Sequence, residues 1–290
     1  MVFLLKPGNL LLDPASDLDR FRALARAGAR TGAQLWPLPS EFARTALMAK
    51  ELGFGGVQVH AAHGFLLSQF LSPLFNQRQD EYGGPIANRM RLLLDVVEEL
   101  RAVVGPGFPI AVKLNATDQL EGGFAEKDAL AVIAALDRTG IDLIDISGGT
   151  YFPGARSASD SVGGGPYFLD FAERARPLTD KPLMVTGGFK TVHQMTDALD
   201  RGVDMIGLAR ALALDPALPN KWQAGSLENP AFPRFQDPPE GGITAWYTMR
   251  LTEIGEDRET ADVGDLSEAV QAYEARDAAR IDIWNARAKT

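Results

Sequence analysis

The sequence predicts an α/β protein of the (β/α)8 barrel class, and three recurring phrases carry this prediction. Each phrase places a glycine at the end of a helix and follows it with a short apolar run: GFGGVQVH from Gly53, GIDLIDISGG from Gly140 and GVDMIGLAR from Gly202. A run this apolar is typical of a parallel strand that is buried on both faces. We expect each glycine to end its helix in the left-handed conformation, which glycine adopts at little cost.

Two further runs have the same apolar body, PIAVKLN from Pro109 and KPLMVTGG from Lys181. In a (β/α)8 barrel the active site is built at the carboxyl ends of the strands. Polar residues lie at or just beyond those ends in this sequence: His60, Asn115, Ser147, Thr186 and Arg210. The sequence therefore predicts that these residues gather at one rim of the barrel.

The number of predicted strands falls one short of a closed barrel. Short apolar runs at Leu10–Leu12 and Ala33–Trp36 predict two strands near the amino end, and a helix from Ser16 or Asp17 to about Gly28 is expected between them. With the five runs above they give seven strands, whereas the class needs eight. A missing strand leaves backbone groups unpaired at two sheet edges. We therefore expect an incomplete barrel.

The chain length favours a single domain. At 290 residues the chain exceeds the roughly 250 that are typical of one barrel but is short for two. We expect one barrel domain over residues 1–290, in which residues 225–290 form a C-terminal helical extension. The last helix is expected near Leu266 to Ala286, and its apolar residues would pack either against the barrel or against a second subunit.

The composition excludes several classes of protein. Hydrophobic residues make up 46% of the chain and charged residues 23%, which is typical of a globular domain. The formal net charge of -9 argues against nucleic acid or an anionic membrane surface as a partner. No cysteine is present, which excludes disulfides, thiolate zinc sites and iron–sulfur clusters. Without a basic leader or an apolar run of roughly 18 residues, the expected location is cytoplasmic.

His60 and His63 form the sharpest local feature, because one strand end would deliver both imidazoles to the rim. Neutral imidazoles donate hydrogen bonds to a substrate oxygen, and they also bind metals. A metal would need a third ligand, which His193 in a predicted exposed helix does not offer and which Asp118 or Asp145 would have to supply. We expect no metal here, and a structural role for the histidines is the remaining alternative.

The last two strands end in glycine-rich phrases that are typical of phosphate sites. TGGFKT contains Gly187 and Gly188, and GLAR contains Gly207 and Arg210. Glycines let backbone N–H groups approach an anion, and a guanidinium adds a charged fork for it. Turns without a ligand are the alternative interpretation. Lys113 is a cation inside an otherwise apolar strand, and if it points into the barrel mouth an anionic or electron-rich group must meet it.

A charged segment, NQRQDEYGGPIANR, follows the histidine strand after a stretch of irregular sequence. Its Arg78, Asp80 and Arg89 are spaced to pair with one another. We expect an ordered loop that braces the rim, although a solvated loop has a similar composition.

The chain resembles the old yellow enzyme family of FMN-dependent NAD(P)H:flavin oxidoreductases and ene-reductases. The resemblance runs from about Gly53 to Lys221. It rests on these phrases: GFGGVQVHAAHGFLLSQFLSPLFNQRQDEYGGPIANR, FPIAVKLNATD, GIDLIDISGGTY, TGGFKT and GLARALALDPALPNK.

This resemblance implies an FMN-bearing barrel in which NAD(P)H reduces the flavin and hydride passes to an activated alkene, such as a small α,β-unsaturated carbonyl substrate. His60 and His63 would hold the carbonyl oxygen, where donors stabilise developing negative charge. Lys113 would face the N1/O2 edge of the flavin and favour its reduced anionic form. The FMN phosphate would be held by Gly187, Gly188, Gly207 and Arg210.

The sequence departs from the family pattern at three places. Phe65 stands where the family has a tyrosine that supplies a proton to the α-carbon. The family's first barrel strand, with its flavin-contacting alanine-proline-methionine phrase, has no counterpart before Leu10. A segment after the third strand, with a flavin-contacting glutamine, is also missing, and Gln34 is the candidate to replace that glutamine.

Three hypotheses follow for the function of the chain. The first is an FMN-dependent NAD(P)H oxidoreductase. The second is a shortened, non-catalytic paralogue that acts as a binding scaffold, which the missing segments favour and the retained histidines oppose. The third is a metal-dependent hydrolase that uses His60 and His63.

Overall fold

The computed structural model describes residues 2–3, 37–150, 165–226, 228–235, 238–239, 241–258 and 265–287. The strands predicted at Leu10–Leu12 and Ala33–Trp36, the helix between them and Gln34 lie outside these residues. Within the described ranges, no helix is both long enough and apolar enough to cross a membrane.

The described residues contain a six-stranded parallel sheet. The five strands predicted from Val57 onward are confirmed, and one short strand at the amino end is added to them. Each strand pairs with the next one in chain order. The strands are β1 (Val2–Phe3), β2 (Val57–Ala61), β3 (Ile110–Asn115), β4 (Leu143–Ser147), β5 (Leu183–Thr186) and β6 (Met205–Gly207).

Helices connect the strands, as the (β/α)8 class requires. They are α1 (Pro37–Glu51), α2 (Leu66–Leu71), α3 (Ile86–Arg89), α4 (Arg91–Val104), α5 (Glu126–Leu136), α6 (Leu169–Ala175), α7 (Val192–Asp200), α8 (Arg210–Leu214), α9 (Leu218–Gln223), α10 (Gly242–Gly255) and α11 (Leu266–Arg287). Among the described strands no ladder joins β6 to β1, so the sheet has two edges. The arrangement is an incomplete (β/α)8 barrel.

Helix α1 begins at Pro37, because proline fits the first turn, where its missing N–H has no intrahelical partner. One expectation about the helix-ending glycines is wrong. Gly53 and Gly202 have the expected positive φ angles of 84° and 90°, but Gly140 does not. A Cβ atom at Gly140 would lie 2.9 Å from Cγ of Arg101, so close approach, and not backbone handedness, explains this glycine.

Residues of the strands alternate between two chemically different faces. One face is apolar and buried, and it carries Val57, Val59, Ile110, Val112, Leu114, Ile144, Ile146, Leu183 and Val185. The opposite face carries the polar residues Gln58, His60, Lys113, Asn115, Asp145, Ser147 and Thr186. Because side chains alternate along a strand, the same register that builds the core also gathers these polar groups.

The chain divides into two compact units. The first comprises residues 1–189 and 193–207 and contains the sheet. The second comprises residues 190–192 and 208–290 and contains the last four helices. The predicted final helix is present at Leu266–Arg287, while the packing of this extension on the barrel or on a second subunit stays a prediction.

Candidate active site

The two histidines lie together at the carboxyl end of β2. Their ring centroids are 5.2 Å apart, with the rings nearly perpendicular. His60 is the fourth residue of β2 and is 8% exposed. The ring of Phe65, in the segment that follows β2, lies 4.8 Å from that of His60.

Backbone geometry beyond the strand fixes the position of His63. Its φ angle is 60°, a left-handed conformation that is uncommon outside glycine and that surrounding contacts must hold. The backbone N–H of His63 donates to Oδ1 of Asn115 at 3.1 Å, and the residue forms a parallel bridge with Thr150. Its Nε2 lies 2.9 Å from the hydroxyl oxygen of Ser147. These contacts hold the imidazole over the ends of β3 and β4.

Both histidines are neutral at physiological pH. Burial, helped by the positive charge of Lys113, lowers the pKa of His60 to about 4. Burial also lowers the pKa of His63 to about 3, with smaller contributions from His60 and Lys113. A neutral imidazole carries one N–H donor and one acceptor nitrogen, so the pair can donate to an oxygen without carrying charge into the site.

Lys113 does meet an anionic group, and that group is a carboxylate of the protein. Its Nζ donates to Oδ2 of Asp145 at 2.6 Å, and the two side chains are 9% and 1% exposed. Lys113 lies opposite His60 on β2 and opposite Asp145 on β4 in the strand register. The ammonium is therefore buried on the polar face, directly beside the histidine strand.

Gly187 and Gly188 follow β5, Gly207 ends β6, and other atoms lie close to all three. Gly188 has a φ angle of 84°, and a Cβ there would collide with the carbonyl oxygen of Gly165. A Cβ at Gly207 would collide with the hydroxyl of Thr186, and one at Gly187 would lie 3.3 Å from the ring of Phe168. The phosphate role of all three glycines stays a prediction.

Arg210, the other residue expected at the phosphate, begins α8 in the second unit. Its guanidinium carbon lies 5.0 Å from the centroid of the Tyr247 ring, a cation–π distance. Helix α8 has only five residues, so it adds little helix dipole to any anion site.

The charged loop before α4 is ordered, but its pairing differs from the expected one. Arg78 pairs with Asp80 as predicted, whereas Arg89 pairs with Asp128 of α5 at 2.9 Å. Arg89 also donates to the backbone carbonyls of Leu71 and Gly84. Because Asp128 is distant in sequence, spacing within the loop could not reveal this partner. Arg89 thereby fixes both ends of the loop.

Asn115 and Ser147 lie on the polar face, as their positions at the ends of predicted strands indicated. The sequence did not indicate Gln58, and it indicated Asp145 only as a possible metal ligand. Asp145 lies in the middle of an apolar run, a place where a fully buried carboxylate needs partners. In the described part of the chain, no three histidine, aspartate or glutamate side chains converge in a way that could hold a metal.

The fold and the rim define a (β/α)8-barrel protein whose candidate site lies at the carboxyl ends of its strands. The chain belongs to the NADH:flavin oxidoreductase / NADH oxidase family, whose model matches residues 37–229. The resemblance inferred from the sequence is thereby confirmed.

Curated relatives and solved structures agree with this family. The NADH-dependent flavin oxidoreductase iliE of Neonectria sp. (strain DH2) is 41% identical over 193 residues, which cover 62% of this chain and 25% of the relative. The NADPH dehydrogenase of Bacillus subtilis (strain 168) is 36% identical over 184 residues, which cover 61% of this chain and 50% of the relative. The chain therefore spans half or less of the length of these two relatives.

Two solved structures superpose on this chain with similar TM-scores. The old yellow enzyme homologue from Zymomonas mobilis has a TM-score of 0.57 and 26% identity, and the match covers 69% of this chain and 55% of that one. Morphinone reductase in complex with tetrahydroNAD has a TM-score of 0.56 and 26% identity, covering 70% of this chain and 53% of that one. Both support the incomplete barrel.

Proposed function

We propose that this chain binds FMN, accepts reducing equivalents from NAD(P)H and passes hydride to an activated alkene such as an α,β-unsaturated carbonyl. The observation that carries the proposal is the neutral imidazole pair, 5.2 Å apart, in a strand register that places a buried ammonium beside it. Family membership supports the flavin, and the names of the relatives support NADH or NADPH as reductant.

The residues of the polar face fit a flavin. Barrel interiors are usually filled by branched apolar side chains, whereas β2, β3 and β4 place amide, imidazole, ammonium and hydroxyl groups here. Gln58 is fully buried, and its Oε1 has no hydrogen-bond donor among the described residues. A ring system that carries both donors and acceptors along its edge suits such a lining.

Each residue has a distinct task in the proposed reaction. FMN, when bound, supplies the hydride chemistry. His60 and His63 hold the carbonyl oxygen and stabilise the negative charge that develops on it. Lys113 has two N–H donors beyond the one used by Asp145, and on the family resemblance it would donate to the flavin N1/O2 edge. Gly187, Gly188 and Gly207 approach the phosphate, and Arg210 is assigned to that phosphate on the sequence resemblance alone.

Phe65 cannot supply the proton that the α-carbon needs, because its ring has no ionisable group. Water, or another group at the rim, must protonate that carbon. The enzyme should therefore reduce its flavin normally and pass hydride to the alkene slowly.

The test is anaerobic reduction of the reconstituted protein. The protein is mixed with FMN, freed of excess flavin and titrated with NADH or NADPH in the absence of oxygen. Bleaching of the flavin absorbance, followed by reoxidation on addition of an α,β-unsaturated ketone, is the expected result. A colourless protein that takes up no FMN would contradict the proposal, and a flavoprotein that neither reductant bleaches would favour the binding scaffold.

A further inference from the structure

Three side chains from three different strands donate to one carboxylate, that of Asp145. Gln58 Nε2 lies 3.1 Å and Lys113 Nζ 2.6 Å from Oδ2, and the Thr186 hydroxyl lies 2.8 Å from Oδ1. Asp145 itself is 0% exposed. The carboxylate thus connects β2, β3 and β5 through β4, on the face that carries the histidines.

The strand register explains why this carboxylate meets the lysine. Lys113 and Asp145 are direct neighbours across the β3–β4 ladder, and both point to the polar face. A lysine side chain has four flexible bonds, so a free ammonium would sample many positions. The charge-assisted bond to Asp145 removes that freedom and fixes the direction of the remaining N–H donors.

The pair is also close to electrically neutral as a unit. An isolated buried ammonium would attract the negative charge of a reduced flavin strongly, because the surrounding dielectric constant is low. A carboxylate 2.6 Å behind the ammonium cancels most of that field at a distance. Apolar residues would fill the same volume at no desolvation cost, so stability alone is a poor explanation for the pair.

We propose that Asp145 is a positioning residue that fixes the Lys113 ammonium and offsets its charge, and thereby lowers the reduction potential of the bound flavin. This inference rests on the proposed FMN site. Asp145 acts on the reduction potential of the flavin through the Lys113 ammonium.

The experiment measures the midpoint potential of bound FMN in the wild-type protein and in three variants, by equilibration with reference dyes at about pH 6, where lysine is ordinarily protonated. In Asp145→Asn the unpaired ammonium should favour reduced over oxidised FMN about tenfold more strongly, a rise of about 30 mV for a two-electron couple. In Lys113→Met the unpaired carboxylate should lower the potential. In the double variant, which keeps neither charge, the potential should return toward that of the wild type.

The matched control is Asp142→Asn, which changes the net charge equally. Asp142 lies before the amino end of β4, its side chain is 48% exposed, and it pairs with Arg101. The midpoint potential of FMN bound to Asp142→Asn should equal that of FMN bound to the wild type.

The outcomes separate this inference from the proposed function. A wild-type protein that binds no FMN overturns both. A protein that binds FMN with the same potential in Asp145→Asn as in the wild type overturns the inference alone. If Asp145→Asn does not fold, the midpoint potential of Lys113→Met is compared with that of the double variant, which leaves no unpaired buried charge. Equal potentials in those two proteins also overturn the inference.

Discussion

At the scale of single residues, the chemistry of the rim follows from burial. His60 and His63 are held neutral because the surroundings of their rings exclude water and contain the Lys113 ammonium. In the unfolded chain, both would titrate near the ordinary histidine pKa of about 6.5. Between that value and the lowered pKa values, the unfolded chain therefore binds more protons than the folded one.

The first prediction is a loss of stability on mild acidification. Stability rises with pH wherever the unfolded state binds more protons, so it falls as pH drops from about 6.5 toward 4. Each histidine should lower the free energy of unfolding by about 2 kcal/mol at pH 5 relative to pH 7. Urea unfolding at the two pH values measures this. His60→Gln should weaken this dependence, and His193→Gln, at an exposed helical position, is the control. The same dependence in His60→Gln as in the wild type would contradict the buried neutral pair.

The second prediction concerns the missing proton donor. Phe65→Tyr places a hydroxyl beside the histidines, because the Phe65 ring already lies 4.8 Å from that of His60. If the chain reduces alkenes, reoxidation of its flavin by an α,β-unsaturated ketone should accelerate at least about tenfold, within the range of general acid catalysis. Stopped-flow measurement of both half-reactions checks this. Reduction by NAD(P)H should not change, and an equal change in both half-reactions would point to altered flavin binding instead.

At the scale of elements, Arg89 connects α3 with the segment before it and with α5. It is the last residue of α3, donates to the carbonyls of Leu71 and Gly84, and pairs with Asp128 of α5. Asn76 supports the same loop through bonds of 2.7 Å to the carbonyls of Phe70 and Tyr82. The irregular segment between α2 and α3 is therefore held by buried polar bonds.

The third prediction is that breaking this buried pair is costly. The side chains of Arg89 and Asp128 are 6% and 11% exposed, so either one left alone is a buried charge. Arg89→Met or Asp128→Asn should each reduce the free energy of unfolding by about 3–5 kcal/mol. The exposed pair of Arg174 and Glu126 is the control, and Arg174→Met should cost less than about 1 kcal/mol. Urea denaturation measures the loss of unfolding free energy in each variant. If Arg89→Met and Arg174→Met show equally small losses, Arg89 does not brace the loop.

At the scale of the whole molecule, the sequence predicted the strands from Val57 onward because each is a short apolar run between glycine or proline and a polar end. It could not predict the Lys113–Asp145 or Arg89–Asp128 pairs, since those depend on which strands and helices become neighbours. The left-handed His63 also escaped, because a positive φ in a non-glycine residue has no sequence signature. The sequence did predict that the polar residues at the strand ends lie together, since His60, Asn115, Ser147 and Thr186 share one face of the sheet.

The fourth prediction is that FMN stabilises the folded chain. A ligand that binds only the folded state at a concentration of one hundred times its Kd adds about 2.7 kcal/mol to the free energy of unfolding. Thermal melting with FMN should therefore show a higher Tm than melting without it. Riboflavin, which lacks the phosphate, should give a smaller shift. An equal shift with both flavins would remove the assignment of Gly187, Gly188 and Gly207 to a phosphate.

The alternation of apolar and polar residues along β2, β3 and β4 has a consequence for how this protein can change. Substitutions at Gln58 or His60 of β2 change the polar face, while the hydrophobic core at Val57 and Val59 stays intact. A single inserted residue inverts the strand downstream of it, so valines would turn to the polar face and an imidazole to the hydrophobic core. Adaptation by replacement is therefore open along these strands, and adaptation by insertion is confined to the loops.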